Sequence, residues 1–195
     1  MAAKTPHSPG SSGNPAAGKE REAAQWNERF ARADYWFGTE PTPFLAAEAH
    51  RLRPGMKALA IADGEGRNGV WLARQGLKVT TVDLAENGIA KAQVLAARFG
   101  VAIETVHADI ENWDWGPPRF DLVVGVLFQF SKPPARAAIF RRMQDVLLPG
   151  GLVMIQGYRP EQLAYGTGGP PFIENLYTAE LLRGAFADME ILELN

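Results

Sequence analysis

A glycine-rich segment followed by a distant acidic residue is the chemically most suggestive pattern in this chain. Gly64, Gly66 and Gly69 have the spacing G-x-G-x-x-G, directly after a short apolar run that ends at Ile61. Glycine lets the backbone turn sharply and lets a ligand approach it closely. Asp83 lies 17 residues after Gly66, where a carboxylate can accept hydrogen bonds from both hydroxyls of a ribose. The pattern predicts a nucleoside site for a dinucleotide or for S-adenosylmethionine.

The elements that must position these residues alternate between strand-like and helix-like patterns. We predict strands at residues 57–61, 78–82, 101–106, 120–126, 152–156 and 189–194, with helices at 66–75, 85–99, 131–148 and 178–186, the last two capped by Ser131 and Thr178. Such alternation predicts one doubly wound, mostly parallel α/β sheet. Ligands of such sheets bind outside the carboxyl ends of the strands, so the residues that follow each strand are the candidates for the site.

The N-terminal third divides into two segments of different composition. Residues 1–18 carry no bulky apolar side chain after Met1, so we predict a disordered tail that cannot offset its ordering entropy. Residues 19–55 are predicted to form helices around an aromatic patch, with Thr42 capping the second of them. Residues 56–195 are predicted to form the ligand-binding domain.

Composition and charge exclude several kinds of function. Lys and Arg number 20 against 22 Asp and Glu, and a net charge of -2 gives no electrostatic footprint for nucleic acid or an anionic membrane. No cysteine is present, which excludes disulfides and thiolate metal sites, and three scattered histidines predict no metal site. The longest apolar run, residues 122–128, is too short to span a bilayer. Without a secretory signal, a cytoplasmic location is expected.

Several stretches of the chain resemble class I S-adenosylmethionine-dependent methyltransferases. They are GEGRN (64–68), VTTVD (79–83), HADI (107–110), LLPGG (147–151) and RPEQL (159–163). Within that superfamily the sequence is most similar to the tellurite-resistance-type branch, which is related to thiopurine methyltransferases, over about residues 24–195. The resemblance implies a Rossmann-like fold, S-adenosylmethionine as cofactor, and methyl transfer to a small acceptor such as a metalloid oxyanion or a thiol.

The resemblance also indicates which residues form the site. It implies cofactor contacts from Asp63, Gly64, Glu65, Gly66, Asp83, Leu84, Asp109, Ile110 and Phe128. Near the acceptor it places Trp26, Tyr35, Gln129, Tyr158 and Arg159. The resemblance further implies that residues 19–55 form a lid over the cofactor and the acceptor, whose aromatic faces can stabilise a sulfonium by cation–π interaction. No catalytic residue is implied, because in-line displacement by a nucleophilic acceptor depends mainly on positioning.

Members of that family continue into a seventh strand, antiparallel between the fifth and the sixth. We therefore expect a sheet that lacks this last strand and exposes an edge, in a monomer or a homodimer. Two alternatives stay open. An NAD-binding oxidoreductase would share the glycine pattern and Asp83, and a non-catalytic protein that binds adenosyl ligands would fit Ala60, Gln129 and the missing strand.

Overall fold

Five parallel strands form the single sheet of this protein in a computed structural model that describes residues 15–166 and 168–195. The strands are β1 (Lys57–Ile61), β2 (Lys78–Asp83), β3 (Glu104–His107), β4 (Phe120–Val126) and β5 (Leu147–Gln156). Their order across the sheet is β3-β2-β1-β4-β5. The chain reverses direction across the sheet between β3 and β4, so the predicted doubly wound α/β fold is confirmed.

Helices connect the strands and precede the sheet. They are α1 (Pro15–Phe30), α2 (Pro43–Ala47), α3 (Arg67–Arg74), α4 (Glu86–Arg98), α5 (Pro133–Asp145), α6 (Gln162–Tyr165) and α7 (Ala179–Ala185), with 3-10 turns at Glu48–Arg51 and Ile173–Asn175. Thr42 and Thr178 cap α2 and α7, and each hydroxyl accepts from a backbone N–H three residues on. In the described residues no helix has the length and apolarity needed to cross a membrane.

The central strands are buried on both faces because helices cover the sheet on both sides. Leu59 and Leu122 are fully buried in β1 and β4, and such strands have near-continuous apolar sequences. In the register of the sheet, Ile61 at the end of β1 pairs with Val82 of β2 and Gly125 of β4. The carboxyl ends of three neighbouring strands therefore lie side by side, which brings the residues that follow them together.

The sixth predicted strand, at residues 189–194, does not form. An alternating segment becomes a strand only when a neighbour supplies hydrogen bonds, and no described strand pairs with the outer edge of β5. The exposed edge thus belongs to β5 and not to a sixth strand. The third strand is also shorter than predicted, because pairing with β2 begins only at Glu104 while Val101 and Ile103 pack on the apolar core.

Two expectations at the helix ends are corrected. Residues 15–18, part of the tail predicted to be disordered, belong to α1, whose first residue is proline, a residue favoured in the first turn; residues 1–14 lie outside the described part of the chain. Ser131 does not cap α5: Lys132 occupies the cap position, and the Ser131 hydroxyl donates to Glu111 over 2.6 Å.

Candidate functional site

A pocket of about 740 Å³, counting the solvent at its mouth, opens at the carboxyl ends of the central strands. Its floor consists of residues that directly follow β1, β2, β3 and β4, and its roof comes from α1 and the loop after it. The pocket therefore lies where the doubly wound topology predicts a site.

The glycine loop, residues 62–66, forms one wall. Gly64 and Gly66 have φ of +57° and +85°, a left-handed region that favours glycine. A Cβ atom on Gly66 would lie 2.5 Å from the Cβ of Ala92. Of the two, only Gly64 lines the pocket. Gly66, predicted as a cofactor contact, instead permits the turn and the close packing of α3 on α4.

The carboxylate of Asp83 closes the floor at the end of β2. One oxygen accepts from the backbone N–H of Gly64 over 2.7 Å, and the other accepts from Ala85 N–H over 2.8 Å. Burial raises the pKa of Asp83 against the opposing effect of these hydrogen bonds. Because each oxygen makes one such bond, each keeps a lone pair for a hydroxyl donor in the pocket.

A second carboxyl group, that of Asp63, lies beside Asp83. It accepts from Gly69 N–H over 3.0 Å. Burial, together with the charge of Asp83, raises the pKa of Asp63 to about 7. At neutral pH this carboxyl group is therefore only partly ionised.

The end of the floor below β3 combines a carboxylate with an apolar surface. Asp109 accepts from Glu111 N–H over 3.0 Å and from the Asn112 amide over 2.7 Å. Ile110 is buried next to it. Lys19 of α1 reaches across the mouth and donates to Glu111 over 2.8 Å. Burial lowers the pKa of Lys19, but the hydrogen bond to Glu111 and the surrounding carboxylates raise it overall.

The roof of the pocket is aromatic and rests directly on the glycine loop. Trp26 stacks on Phe30 with 5.4 Å between ring centroids, and it lies 6.3 Å from Phe37. A Cβ atom on Gly64 would be 3.1 Å from the Phe30 ring. All three rings line the pocket, so an apolar cover lies over a floor of carboxyl groups.

Two residues that were predicted to contact ligands, Glu65 and Tyr35, instead form hydrogen bonds that hold the turn after α1, residues 31–38. Glu65 is buried and accepts from Trp36 N–H over 2.7 Å. It also accepts from Lys91 on α4. The Tyr35 hydroxyl donates to the carbonyl of Lys91 over 3.1 Å. Neither Glu65 nor Tyr35 lines the pocket, and both hold the turn in place because their polar groups are used within the protein.

The structure also places Phe128 and Gln129 away from the pocket. Phe128 packs edge-on against Phe140 and Tyr177 in the core. The buried Gln129 side chain donates to the carbonyls of Tyr158 and Asn175 over 2.9 and 3.1 Å. The physical reason is the left-handed backbone of Leu127, with φ of +56°, which redirects the chain after β4 so that residues 127 and 130 line the pocket instead.

The remaining predicted acceptor residues lie outside the pocket lining. Arg159 is exposed and pairs with Glu161 over 2.8 Å. Tyr158 is half-buried and packs closely on Gly169, where a Cβ atom would lie 2.7 Å from its ring. The pocket brings together these predicted residues: Trp26, Asp63, Gly64, Asp83, Leu84, Asp109 and Ile110.

Residues that were not predicted for the site also line the pocket, among them Glu22, Phe37, Asn68, Leu127 and Phe130. Phe37 belongs to an aromatic patch and Asn68 to the glycine motif, so the sequence pattern around each of them indicated a place near the site. No pattern around Glu22 indicated this, because its position at the mouth of the pocket depends on how α1 packs. Among the described residues, no three His, Asp or Glu side chains are grouped so that they could hold a metal ion.

Comparison with known proteins decides the family. Residues 58–151 match the family model described as a methyltransferase domain. This part of the chain is a methyltransferase domain, and its sheet has the class I fold. Its family uses S-adenosylmethionine as cofactor, so the predicted superfamily and cofactor are confirmed, and the oxidoreductase alternative is not favoured.

Relatives of the methyltransferase domain are distant. An uncharacterised protein of Mycobacterium tuberculosis is 26% identical over 144 residues, which cover 71% of this chain and 52% of that protein. The crystal structure of TehB from Haemophilus influenzae has a TM-score of 0.68 at 23% identity, covering 87% of this chain and 57% of that one. This chain spans about half the length of the curated relatives it matches.

A methyltransferase from Geobacter sulfurreducens, crystallised with S-adenosylhomocysteine, has a TM-score of 0.60 at 20% identity, covering 84% of this chain and 69% of that one. At such identities the likeness shows the fold. The pocket of the methyltransferase domain offers hydrogen-bond acceptors at Asp83 and apolar surface from Ile110 and the aromatic roof.

Proposed function

We propose that this protein transfers a methyl group from S-adenosylmethionine to a small acceptor in the pocket beneath α1. The observation that carries the proposal is the carboxylate of Asp83, fixed by two backbone N–H groups beside the glycine loop. A preorganised acceptor pair at the end of β2 suits a ribose. The match of residues 58–151 to a methyltransferase domain supports the same ligand.

We infer the following roles for the residues of the floor. Asp83 accepts hydrogen bonds from the ribose hydroxyls, and the glycine loop forms the wall beside the ligand. Leu84 and Ile110 supply apolar surface for the adenine, while Asp109 accepts from its amino group. Asp63 lies on the β1 side of the pocket, toward the amino-acid part of the cofactor. These roles follow the placement of the side chains around the pocket.

When bound, S-adenosylmethionine would supply a methyl group whose carbon an acceptor nucleophile attacks in line, with S-adenosylhomocysteine as the leaving group. The contribution of the protein is to orient the acceptor and to exclude water. Trp26, Phe30 and Phe37 provide the cover, and an aromatic face stabilises a nearby cation by about 1 kcal/mol or more when water is excluded. No general base is assigned, because an acceptor that is already nucleophilic needs none.

For the acceptor we propose a small, soft nucleophile, such as a metalloid oxyanion or a thiol. The aromatic roof favours a polarisable group, and the likeness to the tellurite-resistance-type branch points the same way. Turnover with tellurite, selenite and aryl thiols, followed as release of S-adenosylhomocysteine, tests this class of acceptor. Rates equal to those without enzyme would exclude these three acceptors.

The decisive experiment is calorimetric titration with S-adenosylmethionine, S-adenosylhomocysteine and NADH in parallel. Binding of the two adenosyl ligands alone supports the proposal. We expect Asp83→Ala to weaken that binding by about tenfold to a hundredfold, as for a lost hydrogen bond to a charged group. Asp188→Ala is the matched control, because the Asp188 side chain is 85% exposed. Binding without turnover of any acceptor would instead support the non-catalytic alternative.

A further inference from the structure

Glu111 lies just outside the pocket lining and joins elements on different sides of the pocket. One oxygen of its carboxylate, Oε1, accepts from Lys19 of α1 over 2.8 Å and from the hydroxyl of Ser131 over 2.6 Å. Glu111 follows β3 in the chain, whereas Ser131 follows β4, and these two strands are not neighbours in the sheet. A single carboxylate therefore connects the roof with the loops after two separate strands.

The contacts of this carboxylate are partly shielded from water. The side chains of Lys19 and Glu111 are 25% and 21% exposed, and Ser131 is buried. An ion pair in such a place is stronger than one in open solvent. The ammonium of Lys19 also donates to Glu22 over 3.1 Å and lies 3.7 Å from Oδ1 of Asp109. One cation thus balances three carboxylates at the mouth of the pocket.

The two halves of α1 are anchored in different ways. In the C-terminal half, Phe30 is buried, and Asn27 forms two hydrogen bonds of 2.9 Å with Asn87 of α4. In the described part of the chain, every ion pair between α1 and the floor comes from Lys19, in the N-terminal half. Glu111 therefore anchors the half of α1 that packing at Phe30 does not reach.

The same cluster surrounds the carboxylate to which the adenine is assigned. The backbone N–H of Glu111 donates to Oδ1 of Asp109 over 3.0 Å, and Lys19 lies close to the same oxygen. Lys19 also lies 5.3 Å from the centroid of the Phe130 ring, which lines the pocket. Contacts that are already ordered before a ligand arrives reduce the entropy that binding costs. The cluster is therefore placed to act on a ligand that it does not touch.

We propose that Glu111 is a positioning residue that acts through Lys19. It holds the N-terminal half of α1 across the mouth of the pocket, next to Asp109, so that an adenosyl ligand dissociates slowly. The proposal rests on the proposed function, which supplies the adenosyl ligand. Glu111 itself makes no contact with the ligand, and its effect is transmitted by the ammonium that it binds.

The test compares the wild type with Glu111→Ala, Lys19→Met, Lys19→Arg and the double variant Glu111→Ala/Lys19→Met. Calorimetry measures the affinity for S-adenosylhomocysteine, and stopped-flow fluorescence measures its dissociation rate. Two exposed residues supply the controls. Arg21→Met removes a cation from α1 itself, and Glu190→Ala removes a carboxylate far along the chain. Thermal unfolding checks that each variant is folded.

We expect Glu111→Ala and Lys19→Met each to weaken binding by about threefold to tenfold, mainly through faster dissociation. The double variant should bind no more weakly than Glu111→Ala, because the two residues act as one unit. Lys19→Arg keeps the charge and should retain most of the affinity. In turnover, KM for S-adenosylmethionine should rise while kcat is retained. Affinities and dissociation rates equal to those of the controls, or additive losses in the double variant, would overturn the proposal.

Hydrogen exchange shows where the two variants act. Residues 19–24 should exchange faster in Glu111→Ala and in Lys19→Met than in the controls. Residues 26–30, which Phe30 and Asn27 anchor, should exchange as in the wild type. Equally faster exchange along the whole of α1 would indicate a general loss of stability and would contradict the proposed role.

Failure of the proposed function would look different. In that case the wild type binds neither S-adenosylmethionine nor S-adenosylhomocysteine. The exchange experiment needs no ligand and still tests the anchoring of α1. Faster exchange of residues 19–24 in both variants would support that anchoring, and exchange equal to that of Arg21→Met and Glu190→Ala would overturn it.

Discussion

The ammonium group of Lys91 donates to the buried carboxylate of Glu65 and so joins helix α4 to the glycine loop. It also donates to the carbonyls of Arg32 and Asp34 over 3.1 and 2.5 Å. Glu65 completes the connection by accepting from Trp36 N–H. One lysine thus holds the turn after α1 against the loop that forms the pocket wall.

Replacing Lys91 by Met should loosen this turn. Glu65 would stay buried without its cation, and removing one partner of a buried pair costs about 3 kcal/mol or more. We expect faster hydrogen exchange and faster protease cleavage in residues 31–38, together with weaker binding of S-adenosylhomocysteine. Lys78→Met, at an exposed position of β2, is the control. Exchange in residues 31–38 that matches the control would show that Lys91 does not hold the turn.

Replacing Gln129 by Ala should cost stability and spare ligand binding. Its amide bonds to Tyr158 and Asn175 join the loop after β4 to the one after β5, and unpaired buried groups cost about 1–3 kcal/mol. Chemical denaturation measures the loss, and calorimetry on the folded protein measures the affinity. Gln93→Ala is the matched exposed control. A raised KM for the acceptor at unchanged stability would favour the role predicted from the sequence.

Asp63 should make the stability of the protein fall as pH rises. Its pKa of about 7 in the folded state lies above the unfolded value of about 3.9. The folded state therefore holds the proton more tightly, and this contribution is present below about pH 4 and lost as pH approaches 7. Asp63→Asn stays neutral, so relative to the wild type it should gain roughly 2–3 kcal/mol between pH 5 and 8, at about 1.4 kcal/mol per pH unit up to pH 7. A constant difference in unfolding free energy across that range would contradict the shift.

Two glycine substitutions should separate backbone strain from crowding. Gly66→Ala places a Cβ atom 2.5 Å from that of Ala92 at a φ of +85°. Gly100→Ala has a φ of +67° with nothing within 4 Å of the added atom. We expect about 1 kcal/mol of destabilisation at Gly100 from the left-handed backbone. At Gly66 we expect a loss larger by about 1–3 kcal/mol, the range for overpacking. Equal losses in thermal unfolding would show that α3 and α4 adjust freely.

The sequence was sufficient wherever local chemistry decides the structure. The apolar strands β1 and β4, the caps at Thr42 and Thr178, and the place of Asp83 follow from residue type and spacing. Contacts between residues far apart in the chain, and unusual backbone conformations, could not be predicted from residue type and spacing. Glu65 turns away from the pocket because it pairs with Lys91, which lies 26 residues later in the chain. The alternating pattern at residues 189–194 predicts a strand, but the pattern alone contains no information on whether a neighbouring strand is available for pairing.

Ala62 and Leu127 are the non-glycine residues with positive φ in the described part of the chain, at +48° and +56°. Both line the pocket, one after β1 and the other after β4. A left-handed conformation costs a residue with a Cβ atom roughly 1–2 kcal/mol. At Ala62, where glycine would remove only one methyl group, that cost can be relieved, offset in part by the greater freedom of glycine in the unfolded chain. At Leu127 glycine would also remove a half-buried side chain, so the strain after β4 is retained together with the leucine that lines the pocket.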